Sequence, residues 1–335
     1  MKVGMAVIGC GRIGQVHLRS IAKLSNLANL VAVVDSCEEI AIKSANKFSA
    51  KRWYSSIDVA LEDEEISAVV VALPHLFHKD VTIKAAKAGK HILVEKPLAL
   101  NLAQTDAMIE ACESARVILM AGQSRRYFQA LQHAKTQLEN LGPPFSLNYI
   151  WAVYAEEGKA PEWWRSKDLT GGLIIPMLGS HTIDYTLWMF EPRRPVNVYA
   201  RAYSNHNYFE GDDEAIIFIT FDDGSMAVNH LSHNVKPRVH QGLIVCPHGN
   251  IVFKHDHLPH QPVGVDSISL WINGNLCMEG EQEPDNMVLE MKEFLDSILQ
   301  KRLPLTSANA IRGGISIVEA AELSAKERKI ISIVQ

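Results

Sequence analysis

Apolar and polar positions in the first third of the chain fall into blocks whose period switches between that of a strand and that of a helix. Val3 to Ile8 form a short apolar run that breaks into Gly9-Cys10-Gly11-Arg12-Ile13-Gly14, and a second run, Leu30 to Val34, ends on Asp35. Residues 38–48 carry an amphipathic helical pattern, and 57–64 a shorter one. Ile66 to Leu73 is unbroken apolar sequence, as expected of a strand covered on both faces, and Pro74 ends it. The pattern then predicts a helix over 78–88 closed by Gly89, a strand over 91–94, a helix over 102–115 and a strand over 117–121. Alternating strands and helices predict an α/β fold: a doubly wound parallel sheet with its ligand at the carboxyl ends of the strands.

The texture changes near residue 123. Segments 146–154, 196–203, 215–221, 225–231, 242–246 and 267–272 are β-rich, and Asp222-Asp223-Gly224-Ser225 is a hairpin signal between two of them. Helical patterns return over 286–300 and 309–328. The expected division is therefore a doubly wound α/β domain, 1–122, and an α+β domain, 123–335, with a largely antiparallel sheet. The last helix is free to pack back on the first domain.

The opening glycines sit in a strand–turn–helix–strand–acid context, which is the spacing of a dinucleotide site. Gly9 allows the tight turn, Gly11 lets a pyrophosphate approach the backbone, and Gly14 lets the helix pack close to the sheet. The helix N-terminus offers N–H groups to the phosphates. Asp35, 21 positions after Gly14, falls where a carboxylate can accept the ribose hydroxyls. A carboxylate there repels a 2′-phosphate and no Arg follows it, so NAD is expected rather than NADP.

The remaining composition narrows the setting. With 335 residues, 47% hydrophobic and 21% charged, the chain has room for two globular domains. A net charge of −5 speaks against nucleic acid and supplies no basic membrane patch. Five scattered cysteines (Cys10, Cys37, Cys112, Cys246, Cys277) form no C-x-x-C pair and suit reduced thiols. The first strand begins too early for a signal peptide, and no apolar run reaches the roughly 18 residues of a membrane span. The expectation is a cytoplasmic protein.

Two clusters could carry chemistry. Glu95-Lys96-Pro97 puts Lys96 at the end of a strand on the cofactor side of the sheet, where Pro97 stiffens the backbone. Trp163-Trp164-Arg165, Gly171-Gly172 and Gly179-Ser180-His181-Thr182-Ile183-Asp184 suggest a helix entering a cleft, with His181 and Asp184 on one face. Alone, each residue has an ordinary reading, a surface lysine and a core histidine. Together with the glycine turn, Leu73-Pro74 followed by His78, Ala88-Gly89-Lys90-His91 and Arg126, they resemble the glucose–fructose oxidoreductase / inositol dehydrogenase (Gfo/Idh/MocA) family over nearly the whole chain.

The resemblance implies a Rossmann domain, 1–122, followed by a domain with an open sheet, 123–335, and an NAD(P)-linked dehydrogenase or reductase of a secondary alcohol on a sugar, polyol or cyclitol, assembled as a homodimer or homotetramer through the C-terminal sheet. It implies Lys96 and His181 as the catalytic pair, with Asp184 beside them. The cofactor set becomes Gly9, Gly11, Arg12, Ile13, Gly14, Asp35, Leu73, Pro74, His78, Glu95, Lys96 and Gln123. The substrate set becomes Lys96, Arg126, Trp164, Arg165, Met177 and His181, and no metal is expected. Histidine, with an ordinary pKa near 6.5, suits proton transfer, whereas lysine near 10.4 suits a fixed cation at the substrate oxygen.

The chain departs from the family pattern at Met177, where an acid is common, at Leu173, usually glycine, and at His75, often asparagine. Two alternatives stay open: tightly held NAD serving a redox-neutral elimination or glycoside cleavage, and an inactive dinucleotide-binding sensor. Loops 155–167, 205–213 and 235–241 are expected to read the substrate. Histidines 230, 233, 240, 248, 255, 257 and 260 are expected to be solvated, although His255-x-His257 has metal-ligand spacing. Trp151, Tyr154, Trp163 and Trp164 are candidates for a cleft floor.

Overall fold

Continuous apolar strands pair in parallel because both of their faces can be covered by helices. The computed structural model describes residues 2–156, 158–256 and 267–333. These divide into two units, the first holding residues 2–124 and 284–312 and the second the rest. The first unit begins with β1 (Val3–Ile8), α1 (Arg12–Lys23), β2 (Ala28–Val34), α2 (Glu38–Phe48), β3 (Arg52–Tyr54) and α3 (Ile57–Leu61). It continues with β4 (Ala68–Val71), α4 (His78–Lys87), β5 (His91–Glu95), α5 (Leu102–Ala115) and β6 (Leu119–Gly122). The strands form one parallel sheet in the order β3-β2-β1-β4-β5-β6, the doubly wound arrangement expected from the sequence.

β3 escaped the sequence reading. It is three residues long and its side chains are exposed or half-buried, so no apolar run marks it. The short helix after it ends at Leu61 rather than Glu64.

The second unit contains α6 (Gln129–Leu141), β7 (Ser146–Tyr154), α7 (Lys167–Thr170), α8 (Ser180–Phe190), β8 (Pro195–Tyr203), β9 (Glu214–Phe221) and β10 (Met226–Ser232). β11 (Asn234–Cys246), β12 (Gly249–Asp256), β13 (Ser267–Ile272) and β14 (Asn275–Met278) follow. After them come α9 (Asn286–Gln300), which belongs to the first unit, α10 (Ala308–Glu327) and β15 (Ile331–Ser332). The nine-stranded sheet runs β14-β13-β12-β11-β7-β10-β9-β8-β15, and only β7 and β10 pair in parallel. The expected open, largely antiparallel sheet is thus present, with more strands than the apolar pattern revealed. β11 reaches back to Asn234, so residues 235–241 are strand rather than a loop.

Strand alternation sets the core of this unit. Leu147, Tyr149 and Trp151 of β7 are buried on one face, whereas Asn148 and Tyr154 point the other way. Tyr149 packs edge-on against Tyr185 and Phe253 at 5.6 and 5.1 Å between ring centroids. Gly242 pairs across strands with Phe253, and a Cβ at Gly242 would lie 2.2 Å from the tip of that ring. In the first unit, residues after α9 return to the sheet: Ala121 N–H donates to Thr306 O at 2.9 Å, and the Thr306 hydroxyl donates to Ala121 O at 2.8 Å.

Candidate functional site

The turn after β1 is built from close backbone approaches. Gly9 has φ +91°, and a Cβ there would lie 2.4 Å from Ala72 O; one at Gly14 would lie 1.9 Å from Gly9 O. Gly11 differs, because a Cβ there would meet nothing within 4 Å. Two glycines are therefore demanded by packing, and the third faces open space at the N-terminus of α1. Arg12 is exposed and Ile13 half-buried in the first turn of that helix. This is an arrangement into which a diphosphate fits.

Asp35 follows β2 and is tied to the same turn. One carboxylate oxygen accepts the Cys10 N–H at 2.9 Å and the other the Cys37 N–H at 2.9 Å. Each oxygen keeps a further acceptor direction, so the carboxylate is oriented by the chain and still able to take two hydroxyls.

The ends of β4 and β5 carry the next group. Leu73 and Pro74 are half-buried after β4, and the Leu73 side chain lies against Gly9. His78, expected among the cofactor residues, is held between two backbone carbonyls. It is fully buried, with Nδ1 2.9 Å from Pro97 O and Nε2 2.9 Å from Leu73 O. A neutral ring can donate to only one of these carbonyls, and burial pushes its pKa below the ordinary value.

Glu95 is buried as well and makes its contacts within the protein. One of its oxygens meets His17 Nε2 at 2.7 Å, and the other accepts the Lys96 N–H at 3.1 Å. Burial raises the Glu95 pKa, but the hydrogen bond and charge of His17 outweigh it, so the net direction is down. Its buried neighbour Glu290, on α9, is pushed well above the usual range by burial and by the Glu95 charge. Glu95 thereby anchors the backbone from which half-buried Lys96 projects. Gln123 is buried just after β6.

In the second unit, His181 lies in the first turn of α8. A single π-helical turn, Ile175–Gly179, leads into that helix, a distortion frequent at functional sites. His181 is 7% exposed and its ring centroid lies 5.4 Å from that of Trp151. Asp184, expected to support His181, is engaged elsewhere: its two oxygens accept Arg126 Nε and Nη2 at 2.9 and 2.8 Å. Both side chains are buried, so the guanidinium of Arg126, expected among the substrate residues, is matched by a carboxylate.

Met177 lies in a small apolar cluster with Leu173 and Phe209, against which Trp163 and Trp164 pack. Trp164 stacks on His233, and exposed Arg165 lies over the Tyr208 ring at 4.8 Å. Of the paired glycines, Gly172 has φ +127°, and a Cβ there would lie 2.9 Å from the carboxyl of Glu322. Burial raises the pKa of that carboxyl to about 7.

The histidines require a correction. His233, His240 and His255 are buried, His230 is half-buried against Glu214 at 2.7 Å, and only His248 is exposed. His257 and His260 lie outside the described residues. Among the described residues, no group of three acidic, Cys or His side chains could hold a metal. Strand alternation carried the missed signal: His240 shares a face with Gly242 and Ile244, and His255 with Ile251 and Phe253. The same periodicity separates Trp151 from exposed Tyr154, so those two do not share one floor. Arg125, not singled out in the sequence, is the further polar residue of this region: it is 7% exposed, with its guanidinium 4.4 Å from the Trp151 ring.

Two outcomes follow from these contacts. Asp184→Asn leaves a buried guanidinium without its counter-charge and should cost about 3–5 kcal/mol in urea unfolding. A cost under about 1 kcal/mol would show the pair to be dispensable. Glu322 holds its proton more tightly when folded, so its contribution is fully present below about pH 4.5 and is lost as pH rises toward about 7. Between pH 5 and 8 the wild type should therefore lose on the order of 2 kcal/mol more stability than Glu322→Gln. Parallel pH profiles of the two proteins would refute the shift.

Comparison with known proteins agrees with this geometry. Residues 3–123 match the family described as "Oxidoreductase family, NAD-binding Rossmann fold", and residues 131–252 match the "GFO/IDH/MocA C-terminal domain". Myo-inositol 2-dehydrogenase of Thermotoga maritima is 27% identical, covering 99% of this chain and 98% of its own length. Scyllo-inositol 2-dehydrogenase (NAD(+)) of Bacillus subtilis is 31% identical over 67% of this chain and 65% of its own length. The crystal structure of aldose-aldose oxidoreductase from Caulobacter crescentus has the same fold, with a TM-score of 0.88 at 21% identity over 99% of this chain and 100% of that one. With both of its domain types matched in order along one chain, the protein belongs to the Gfo/Idh/MocA family of NAD-binding oxidoreductases.

Proposed function

We propose that the chain transfers a hydride between NAD and a secondary alcohol or ketone of a sugar, polyol or cyclitol. The observation that carries this reading is the open turn at Gly11 beside the anchored Asp35, in a chain that also has Lys96 directly after β5 and His181 after a π-helical turn. When bound, the nicotinamide supplies the hydride acceptor or donor. Lys96 Nζ polarises the substrate oxygen as a fixed cation. His181 takes the hydroxyl proton from that oxygen or returns it, a task suited to an imidazole. Glu95 and His17 hold the Lys96 backbone in place. Asp35, already accepting two N–H groups, favours NAD, since a second anion beside it would be repelled. The inositol dehydrogenase names of the relatives support a polyol or cyclitol substrate.

NADH absorbance on mixing the protein and NAD with sugars, polyols and inositols tests the reading. Lys96→Met and His181→Ala should each lower kcat/KM at least about 100-fold while NAD affinity by calorimetry changes little. Wild-type NADP affinity should be at least about tenfold weaker than NAD affinity. Full activity in both variants overturns the assignment, and substrate consumption without NADH indicates the redox-neutral alternative.

The exposed sheet face, which carries Ile216, Met226 and Leu243, is proposed as the contact for a second copy of the chain. Light scattering should then give a dimer or tetramer, and Ile216→Lys with Leu243→Lys should dissociate it. A monomeric wild type refutes this.

A further inference from the structure

Asp213, directly before β9 in the second unit, is a carboxylate with no exposure to solvent. Its Oδ1 accepts the Asn205 N–H and the Asn234 side-chain amide, both at 3.0 Å. Its Oδ2 accepts the His206 N–H at 3.0 Å and a longer contact from the Asn205 N–H at 3.2 Å. A carboxylate offers about four lone-pair directions, so these contacts commit Asp213 to holding the chain. The backbone of the same residue is engaged too. Its N–H donates to Tyr203 O at 3.2 Å, and its carbonyl accepts the His233 N–H at 2.8 Å. One residue therefore ties the start of the loop between β8 and β9 to the junction of β10 with β11.

From that junction the ties continue. His233 O accepts the Ala155 N–H at 2.9 Å, which fixes the beginning of the loop after β7. The two loops are then joined directly. Glu210 N–H donates to Arg165 O at 3.1 Å, Lys167 N–H to Glu210 Oε2 at 2.8 Å, and Gly158 N–H to the Tyr208 hydroxyl at 3.2 Å. Trp164 stacks on His233 with 7° between the ring planes. Trp163, Trp164 and Tyr208 pack on the cluster of Leu173, Met177 and Phe209. Met177 stands one turn before His181, so the joined loops border the turn that presents the imidazole assigned to proton transfer.

Chain connectivity does not require this. Paired antiparallel strands are commonly joined by roughly two to five residues, whereas residues 204–213 separate β8 from β9. Ser204, Asn205, His206 and Asn207 are exposed, so burial of their own side chains does not hold them. Ordering such a segment costs conformational entropy, and a buried carboxylate is tolerated only when donors surround it. Both costs are met here to fix a surface loop. Polar side chains fixed beside a reacting group lower the ordering cost of binding a polyhydroxylated ligand. We propose that Asp213 is a positioning residue for the substrate: it locks the loop between β8 and β9 to the loop after β7 and so sets substrate affinity, while taking no part in hydride or proton transfer. This inference deepens the hydride-transfer reading and rests on it for the substrate.

Kinetics with the compound of the sugar, polyol and inositol panel that gives the fastest NADH formation tests it. Asp213→Asn keeps the shape but turns one accepting oxygen into an NH2 group facing N–H donors. It should raise KM about 10- to 100-fold, the range of lost charge-assisted hydrogen bonds, with kcat within about threefold of wild type. NAD affinity by calorimetry should be unchanged, and amide hydrogen exchange should quicken in both loops. A wild-type KM overturns the inference, whether kcat is retained or falls with the folded fraction as for a merely structural residue. If Asp213→Asn does not fold, Glu210→Ala and Tyr208→Phe each remove a single tie between the loops. A KM rise of at least about threefold in either then upholds the lock, and a wild-type KM in both overturns it. If no compound yields NADH, hydride transfer is rejected and hydrogen exchange alone decides. Quicker exchange in both loops of the variants upholds the lock, and wild-type exchange overturns it.

Discussion

Backbone contact at the first turn is the constraint from which the cofactor chemistry follows. Gly9 and Gly14 approach neighbouring carbonyls so closely that any Cβ would collide with them, while Gly11 is left open. A turn this tight starts α1 directly after the carboxyl end of β1, and the first N–H groups of a helix have no partner within it. It also brings the Cys10 amide onto the Asp35 carboxylate, so one local geometry fixes both the turn proposed to cradle the phosphates and the carboxylate proposed to accept the ribose. A side chain at Gly9 or Gly14 would disturb both at once.

Several buried polar groups of each unit are matched within that unit. Where a residue is structural, it is matched with an opposite charge or with backbone: Arg126 with Asp184, Glu95 with His17, and His78 with two carbonyls. Four residues expected at the site, Arg126, Asp184, Glu95 and His78, thus also carry contacts within the fold.

Met177 illustrates how a departure from the family pattern is absorbed. A thioether cannot hold a proton, and the chain uses it to fill an apolar cluster with Leu173 and Phe209. Leu173 is itself the residue that replaces a third glycine, so the two departures pack together and belong to one local repacking. The π-helical turn that contains Met177 still delivers His181 to the start of α8.

What the sequence determined by itself was everything that short-range chemistry dictates. The glycine turn, the acid after β2, the parallel strand–helix alternation and the turns between antiparallel strands are all local, because a tight turn or an apolar run needs particular residues within a few positions. α2, α5, β7, β13 and α9 could be delimited from periodicity alone. Tertiary structure decided which polar side chains were spent on the fold. His240 and His255 stand 15 positions apart and Trp151 far from both, and strand register alone stacks their rings. Arg126 and Asp184 meet across 58 positions, a pairing no motif records. Register and helix packing depend on how the whole sheet closes, so the allocation of buried charge becomes visible only once the chain has folded.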